Sequence, residues 1–286
     1  MTEAELAIVR RAYAMQILAQ ANVSNAALED AFSQVRREDY LGPGPWQMVR
    51  WPGGYIPTPS ADPVYLYCNT LFGIVPERKL NNGEPAAHAM WIASVAPERG
   101  EHAVHVGAGV GYFSALFAHM VGETGRVTAI EFDEELAARA RANLASSANA
   151  TVLHGDGTAL PFEPADVIYV NAGAARPMDH WLDRLKEGGR LLVPLTTATN
   201  FQMPNPNRPT GGYFRITRQG DAYLAKWISY VAVFPCEGAR DPESEAALAK
   251  AFETPRWQEV TRLYRTGNLP EEQCWLRAPG WSLAYH

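Results

Sequence analysis

Cysteine and basic residues are scarce in this sequence of 286 residues. The three cysteines, Cys68, Cys236 and Cys274, lie far apart, and none belongs to a spacing that is typical of metal ligands. We therefore expect reduced thiols and no metal site. Lysine and arginine total 25 against 31 acidic residues, which gives a formal net charge of -6, and no basic cluster stands out. A general attraction to nucleic acid is not expected.

Long apolar runs are also missing. The first residues, MTEAELAIVRRAYAMQIL, carry acids and arginines where a signal peptide would need an apolar core. No stretch approaches the roughly 20 residues of a membrane span. With 47% hydrophobic and 20% charged residues, the composition is typical of a folded globular protein. We therefore expect a cytoplasmic protein with no membrane partner, containing one large domain or two small ones.

The strongest motif is a glycine-rich stretch at residues 103–131. It reads as a short apolar strand, the turn GAGVG, an apolar helix and a second strand that ends on Glu131. Glycines let the chain turn sharply and let a ligand lie against the backbone. A carboxylate in the position of Glu131 accepts hydrogen bonds from a ribose diol. The dinucleotide fingerprint would have its third glycine at Tyr112 instead of Gly111, so the spacing favours an adenosyl ligand without a pyrophosphate.

Two later segments complete a familiar order. The GDG turn at residues 155–157 and the segment LKEGGRL at residues 185–191 follow the glycine turn and Glu131. Together these four elements resemble class I S-adenosylmethionine-dependent methyltransferases. The resemblance implies an α/β fold with a Rossmann-like sheet, mostly parallel with an antiparallel C-terminal hairpin, and S-adenosyl-L-methionine as the cofactor. A generic nucleotide-binding Rossmann domain is the alternative.

The same resemblance implies which residues hold the cofactor. Asp156 would bind the adenine amino group, although an Asp between glycines is also a common turn residue. Small residues at 171–174 would lie beneath the transferred methyl group. The candidate cofactor-binding residues are His105, Gly107, Ala108, Gly109, Gly111, Tyr112, Glu131, Phe132, Gly155, Asp156, Gly157 and Asn171.

A narrower resemblance covers roughly residues 10 to 235. The sequence REDYL at 37–41, a polar loop before Pro85, ADVIYVNAGA at 165–174 and VPL at 193–195 resemble the protein-L-isoaspartate O-methyltransferase family. That family's loop reads TISQP and has a hydroxyl close to the acceptor carboxylate. Here the loop at 81–85 reads NNGEP, so Gly83 replaces the serine and Glu84 replaces the glutamine. An ionised Glu84 would repel an anionic acceptor, and we therefore expect altered acceptor recognition.

The candidate catalytic residues are Asn81, Asn82, Glu84 and His88. Methyl transfer from a sulfonium is a direct displacement, which requires alignment of the reactants and exclusion of water. A carboxylate acceptor needs no general base, whereas a hydroxyl or amine would be helped by Glu84 or His88. A structural role is the alternative for His88, because a lone histidine on an apolar helix usually packs in the core.

Three functions fit these features. The first is a peptide or protein carboxyl methyltransferase with an altered acceptor. The second is a small-molecule methyltransferase in which aromatic loops and a C-terminal extension enclose a metabolite. The third is a non-catalytic cofactor-binding protein, against which the intact glycine turn, Glu131 and Asp156 argue.

The order of elements predicts three regions. Residues 1–80 would form an N-terminal helical cap, with helices at 3–20 and 25–32 and Ser24 as the cap of the second, followed by a Pro/Gly-rich substrate loop with little regular structure. Residues 81–235 would form the cofactor-binding domain, with a loop at 196–212 that could close over the substrate. Residues 236–286 would form a helical extension, with helices at 242–252 and 257–264, as a lid, a homodimer contact or simple packing.

Overall fold

The computed structural model of the chain describes residues 1–50, 54–197 and 210–286. Within them the helices are α1 Glu3–Gln20, α2 Ala26–Gln34, α3 Glu38–Leu41, α4 Pro85–Val95, α5 Tyr112–Val121, α6 Glu134–Asn143, α7 Asp179–Asp183 and α8 Pro242–Ala251. The strands are β1 Gln47–Arg50, β2 Gly54–Pro57, β3 Gly73–Val75, β4 Leu80–Asn81, β5 His102–Val106, β6 Arg126–Glu131, β7 Ala150–His154, β8 Ala165–Val170, β9 Leu185–Thr196, β10 Gly211–Gln219, β11 Ala222–Tyr230, β12 Arg262–Tyr264, β13 Cys274–Ala278 and β14 Trp281–Ala284. None of the described helices is long and apolar enough to cross a membrane.

Contacts divide the chain into two compact units, each built from two segments. The first unit comprises Met1–Gly100 and Ala108–His154, and the second comprises Glu101–Gly107 and Gly155–His286. The three regions predicted along the sequence, with limits at residues 80 and 235, stay a prediction.

The first unit begins with the two predicted N-terminal helices. Thr2 and Glu5 form a capping box at the start of α1, which satisfies backbone N–H groups that the first turn leaves unpaired. Asn25 caps α2, since its Oδ1 accepts a hydrogen bond from the backbone N–H of Leu28 at 3.0 Å. The prediction of Ser24 as the cap was therefore wrong by one residue. Both residue types are good caps, and the start of the helix decides which of them serves.

The Pro/Gly-rich segment after α3 has more regular structure than expected. Strands β1 and β2 pair antiparallel, with Met48 opposite Ile56. Residues 51–53 between them lie outside the described part of the chain. The other predicted loop, at 196–212, falls mostly on residues 198–209, which also lie outside it. Its proposed closure over a substrate stays a prediction.

In the second unit, eight strands follow the order β13-β14-β12-β11-β10-β9-β8-β5. Strand β8 pairs parallel with β5 and with β9, while β10 and β11 form the expected antiparallel hairpin beside β9. All five residues of β5 are buried, as expected of a parallel strand covered on both faces. In the first unit, β6 and β7 are also parallel. The predicted fold class is thereby confirmed.

The C-terminal extension is helical only in part. Helix α8 forms as predicted, but residues 257–264 contain a 3₁₀ turn and strand β12 instead of a helix. Strand β12 pairs with β11 and β14, and the backbone N–H of Ala225 in β11 donates to the carbonyl of Thr261 at 2.8 Å. The helix prediction failed because the edge of β11 offers hydrogen bonds to the backbone that a short apolar pattern does not reveal.

Candidate functional site

In the first unit, the backbone of the glycine turn orients Glu131. Its Oε2 accepts a hydrogen bond from the N–H of Gly109 at 2.6 Å, and its Oε1 accepts one from the N–H of Asp133 at 3.0 Å. The side chain is 8% exposed. Burial raises the pKa of Glu131 above its usual value of 4.5, against the opposite effect of the two backbone donors. The Glu131 carboxylate is thus held in one orientation, and its contact with a ribose stays a prediction.

The glycines of the turn have steric reasons to be glycine. Gly109 and Gly111 have φ angles of +56° and +91°. A residue with a Cβ would be strained in this conformation. A Cβ on Gly111 would also lie 3.0 Å from Cδ1 of Leu144, which follows α6. The N–H of Ala108 donates to the carbonyl of Ile130 at 3.1 Å and joins the turn to β6.

Phe132 and Tyr112, both predicted at the cofactor, differ in exposure. The Phe132 side chain directly after Glu131 is 54% exposed, so its ring is available for a planar ligand to stack on. Tyr112 is buried, and the guanidinium of Arg37 lies 6.0 Å from its ring centroid. Tyr112 therefore packs in the core, and its contact with the cofactor stays a prediction.

Arg37, from the REDYL sequence, holds the segment that leads to the loop at residues 81–85, called the acceptor loop after its predicted role. It is fully buried and donates hydrogen bonds to the carbonyl oxygens of Leu66, Cys68 and Thr70. These three bonds fix a segment without long regular structure, because one buried guanidinium joins three of its backbone carbonyls. Sequence reasoning used REDYL only as a mark of resemblance and missed this role.

The two asparagines of the acceptor loop bond within the loop and its surroundings. Oδ1 of Asn81 accepts from the N–H of Gly83 at 3.0 Å. Asn82 is buried, and its side-chain Oδ1 accepts from the backbone N–H of Phe72 at 2.8 Å. The backbone N–H of Asn82 donates to the Phe72 carbonyl at 3.0 Å. Both side chains shape the loop, and their predicted contact with an acceptor stays a prediction.

His88 fills the space beside Gly83. An ideal Cβ on Gly83, whose φ is +76°, would lie 2.2 Å from Nε2 of His88. The imidazole cannot easily yield, because it stacks on Phe113 with ring centroids 3.5 Å apart and is 2% exposed. Glycine, where the family has serine, thus leaves room for the buried His88 of the adjacent helix.

Asn69 joins the acceptor loop to the start of α4. Its Nδ2 donates to Oε1 of Glu84 at 2.7 Å, and its Oδ1 accepts from the N–H of Ala86 at 2.8 Å. Glu84 makes no capping bond with its own side chain, so Asn69 provides the cap. Sequence reasoning missed Asn69, because a cap that comes from a distant residue leaves no local pattern.

In the second unit, the end of β5 approaches the end of β8. Gly107 has a φ of +79°, and a Cβ there would lie 3.1 Å from the carbonyl oxygen of Asn171. The N–H of Asn171 donates to the carbonyl of Val106 at 2.8 Å. The small residues predicted beneath the methyl group therefore follow a tightly packed strand end.

His105 lies inside the same sheet. Its side chain is 1% exposed and makes an edge contact with the ring of Tyr169, with centroids 5.2 Å apart. Burial lowers the pKa of His105 to about 3, so the imidazole is neutral at physiological pH. This environment gives His105 a structural role, and its predicted cofactor contact stays a prediction.

Hydrogen bonds and close packing stabilise the GDG turn at residues 155–157. Oδ1 of Asp156 accepts from the backbone N–H and the hydroxyl of Thr158 at 2.8 and 2.7 Å. The carbonyl of Gly157 accepts from the indole N–H of Trp181 at 2.8 Å, and a Cβ on Gly157 would lie 2.5 Å from Val106. The half-buried Asp156 carboxylate keeps acceptor capacity for a ligand on its second oxygen.

Comparison with known proteins assigns the chain to one family. The family model described as Protein-L-isoaspartate(D-aspartate) O-methyltransferase (PCMT) matches residues 64–224, more than half of the chain. The protein-L-isoaspartate O-methyltransferase of Ignicoccus hospitalis is 34% identical over 155 residues, which are 53% of this chain and 69% of that protein. The Thermotoga maritima protein of the same name is 30% identical over 132 residues. That match spans 45% of this chain and only 42% of the relative.

Solved structures share the fold. A protein-L-isoaspartate O-methyltransferase structure has a TM-score of 0.62 at 23% identity and covers 80% of this chain and 66% of that one. A Plasmodium falciparum β-aspartate methyltransferase (PCMT), in complex with S-adenosyl-L-homocysteine, has a TM-score of 0.60 at 16% identity over 80% of this chain and 98% of that one. With the match over residues 64–224, the chain belongs to the protein-L-isoaspartate(D-aspartate) O-methyltransferase (PCMT) family.

Proposed function

We propose that this chain is an S-adenosyl-L-methionine-dependent methyltransferase that O-methylates a carboxylate of a peptide or protein. Its acceptor recognition differs from that of the isoaspartate enzymes in the loop around Gly83. The family match over residues 64–224 supports the reaction class, because it includes both this loop and the glycine turn. The change of serine to glycine supports an altered acceptor.

The residues around Glu131 fit the cofactor that the family implies. Oε2 of Glu131 accepts the backbone N–H of Gly109, and Oε1 accepts that of Asp133, so the carboxylate is held in place by the backbone. A fixed carboxylate with two acceptor oxygens suits the hydroxyls of a ribose. The cofactor supplies an electrophilic methyl group. The chain's task is to orient both reactants and exclude water.

The burial of His88 is the observation that carries the choice of acceptor. A hydroxyl or amine acceptor would need a base to take its proton. His88 is 2% exposed and stacked on Phe113, and the Glu84 carboxylate receives the amide of Asn69. Burial therefore withholds His88 from proton transfer, and one oxygen of the exposed Glu84 is already engaged. A carboxylate, with a pKa of about 4, is already ionised and attacks without a base.

Two measurements on one sample test the proposal. Calorimetry with S-adenosyl-L-homocysteine measures cofactor binding, and isotope-labelled methyl transfer compares an isoaspartyl peptide with its aspartyl counterpart. We expect cofactor binding and no preference for the isoaspartyl peptide. A clear isoaspartyl preference would contradict the altered acceptor while leaving the methyltransferase intact. Absence of cofactor binding would contradict the whole proposal.

A further inference from the structure

The segment at residues 234–240 crosses the GDG turn and the end of β8, although it lies beyond the matched residues 64–224. The N–H of Gly173 donates to the carbonyl of Phe234 at 2.7 Å, and the N–H of Cys236 donates back to the carbonyl of Gly173 at 2.9 Å. These reciprocal bonds attach the start of the C-terminal extension directly to the turn that follows β8.

Arg240 fixes the other end of this segment. Its Nη1 donates to the carbonyl of Gly173 and to Oγ1 of Thr196, each at 3.0 Å. Its Nε donates to Oε1 of Glu245 at 2.6 Å, which orients the guanidinium. The segment is therefore tied at both ends and held over the turns by charge-assisted hydrogen bonds.

Between these ties, Gly238 lies against the Asp156 carboxylate. Its φ is +78°, and an ideal Cβ would lie 2.4 Å from Oδ2 of Asp156 and 2.6 Å from Oγ1 of Thr158. The other oxygen, Oδ1, accepts both hydrogen bonds from Thr158. The carboxylate is thus confined on one side by Thr158 and on the other by the backbone of the extension.

We infer that Gly238 is a positioning residue of the adenine subsite. The extension confines the Asp156 carboxylate so that Oδ2 accepts a hydrogen bond from the exocyclic amino group of the adenine. This inference rests on the proposed function, because Asp156 meets an adenine only if the chain binds S-adenosyl-L-methionine. It assigns the C-terminal extension a part in recognition of the base.

The test measures the ratio of the affinities for two ligands that differ only in the nucleobase. A merely structural defect would weaken both affinities and leave this ratio unchanged. Calorimetry compares S-adenosyl-L-homocysteine with S-inosyl-L-homocysteine, in which oxygen replaces the amino group. Gly238→Ala is compared with Gly280→Ala, a matched control in the same extension, because Gly280 has a φ of +79° with no atom within 4 Å of an added Cβ. Both variants place an alanine at nearly the same positive φ, and only in Gly238→Ala does the added Cβ press on Asp156.

We expect the wild type and Gly280→Ala to prefer the adenosyl ligand by about tenfold or more, the scale of one hydrogen bond to a charged group. In Gly238→Ala this preference should fall towards unity. Arg240→Ala, which releases the segment without backbone strain, should reduce it as well and serves if Gly238→Ala does not fold.

Three outcomes separate the claims. Unchanged base preference in the Gly238 and Arg240 variants would overturn the inference. A wild type that binds both ligands equally would also overturn it, because Asp156 would then not read the amino group. A wild type that binds neither ligand would contradict the proposed function itself.

Discussion

The imidazole of His88 occupies the space that a side chain at position 83 would need. An added Cβ at Gly83 would lie 2.2 Å from Nε2 of His88, and the stacking of that imidazole on Phe113 leaves it little room to move. The two positions are therefore coupled. A serine at position 83 would require the imidazole of His88 to move.

The coupling predicts a non-additive mutant cycle. Gly83→Ser should destabilise the wild type by about 1–3 kcal/mol through overpacking, in addition to the strain at positive φ. In the His88→Ala background, only the strain should remain. Urea denaturation of the wild type, both single variants and the double variant measures the difference, and the strain cancels in the cycle. Equal costs of Gly83→Ser in both backgrounds would show that the two positions are independent.

Glu131→Ala should weaken the binding of S-adenosyl-L-homocysteine by roughly 1.5 to 3 kcal/mol, the scale of a hydrogen bond to a charged group. The control is Glu135→Ala, which removes an exposed acid from the first turn of α6. Calorimetry on both variants distinguishes a ribose contact from a general effect of charge. Wild-type affinity in Glu131→Ala would show that the ribose assignment is wrong.

As the pH is lowered, cofactor binding should begin to weaken at a higher pH than it would with a glutamate of ordinary pKa. Burial raises the pKa of Glu131 above 4.5, so protonation of its carboxyl begins at a higher pH and removes acceptors for the ribose. Affinity should therefore be complete above the raised pKa and fall as the pH drops through it. The profile of Glu131→Gln should lack this step, and a step of the same size in that variant would assign it to another group.

His105 should make the fold sensitive to acid. Its pKa is about 3 in the folded chain and near 6.5 when unfolded, so below 6.5 the unfolded chain binds a proton that the folded chain does not. This contribution to stability is complete above pH 6.5 and is lost towards pH 3, by about 1.4 kcal/mol per pH unit. Urea denaturation should show a shallower loss in acid for His105→Gln than for His154→Gln, which replaces an exposed histidine. Identical slopes would contradict the effect.

Local patterns were sufficient for the central elements. The spacing GAGVG followed by an apolar run predicted α5 with the bounds Tyr112–Val121 that the structure has. Helix α1, the short parallel strands and the hairpin of β10 and β11 followed in the same way, because periodicity and turn residues are properties of adjacent positions. The glycine turn and Glu131 were also predicted as one group, and they are joined by a hydrogen bond.

The missed features depend on contacts between distant residues. Strand β12 forms because β11 offers an edge to it, and Asn69 caps a helix that begins at Pro85. The contact of Gly238 with Asp156 likewise joins two turns that no pattern connects. The burial of His88 could have been expected from its apolar helix, but its position against Gly83 could not.

The central claim is that a carboxylate accepts the methyl group. The most direct measurement is the transfer of isotope-labelled methyl from S-adenosyl-L-methionine to a peptide mixture, beside the same mixture with its carboxylates converted to amides. Mild base then releases methyl esters as methanol. The account predicts base-labile label in the untreated peptides and none in the amidated ones. Base-stable label, or equal labelling of both mixtures, would contradict it.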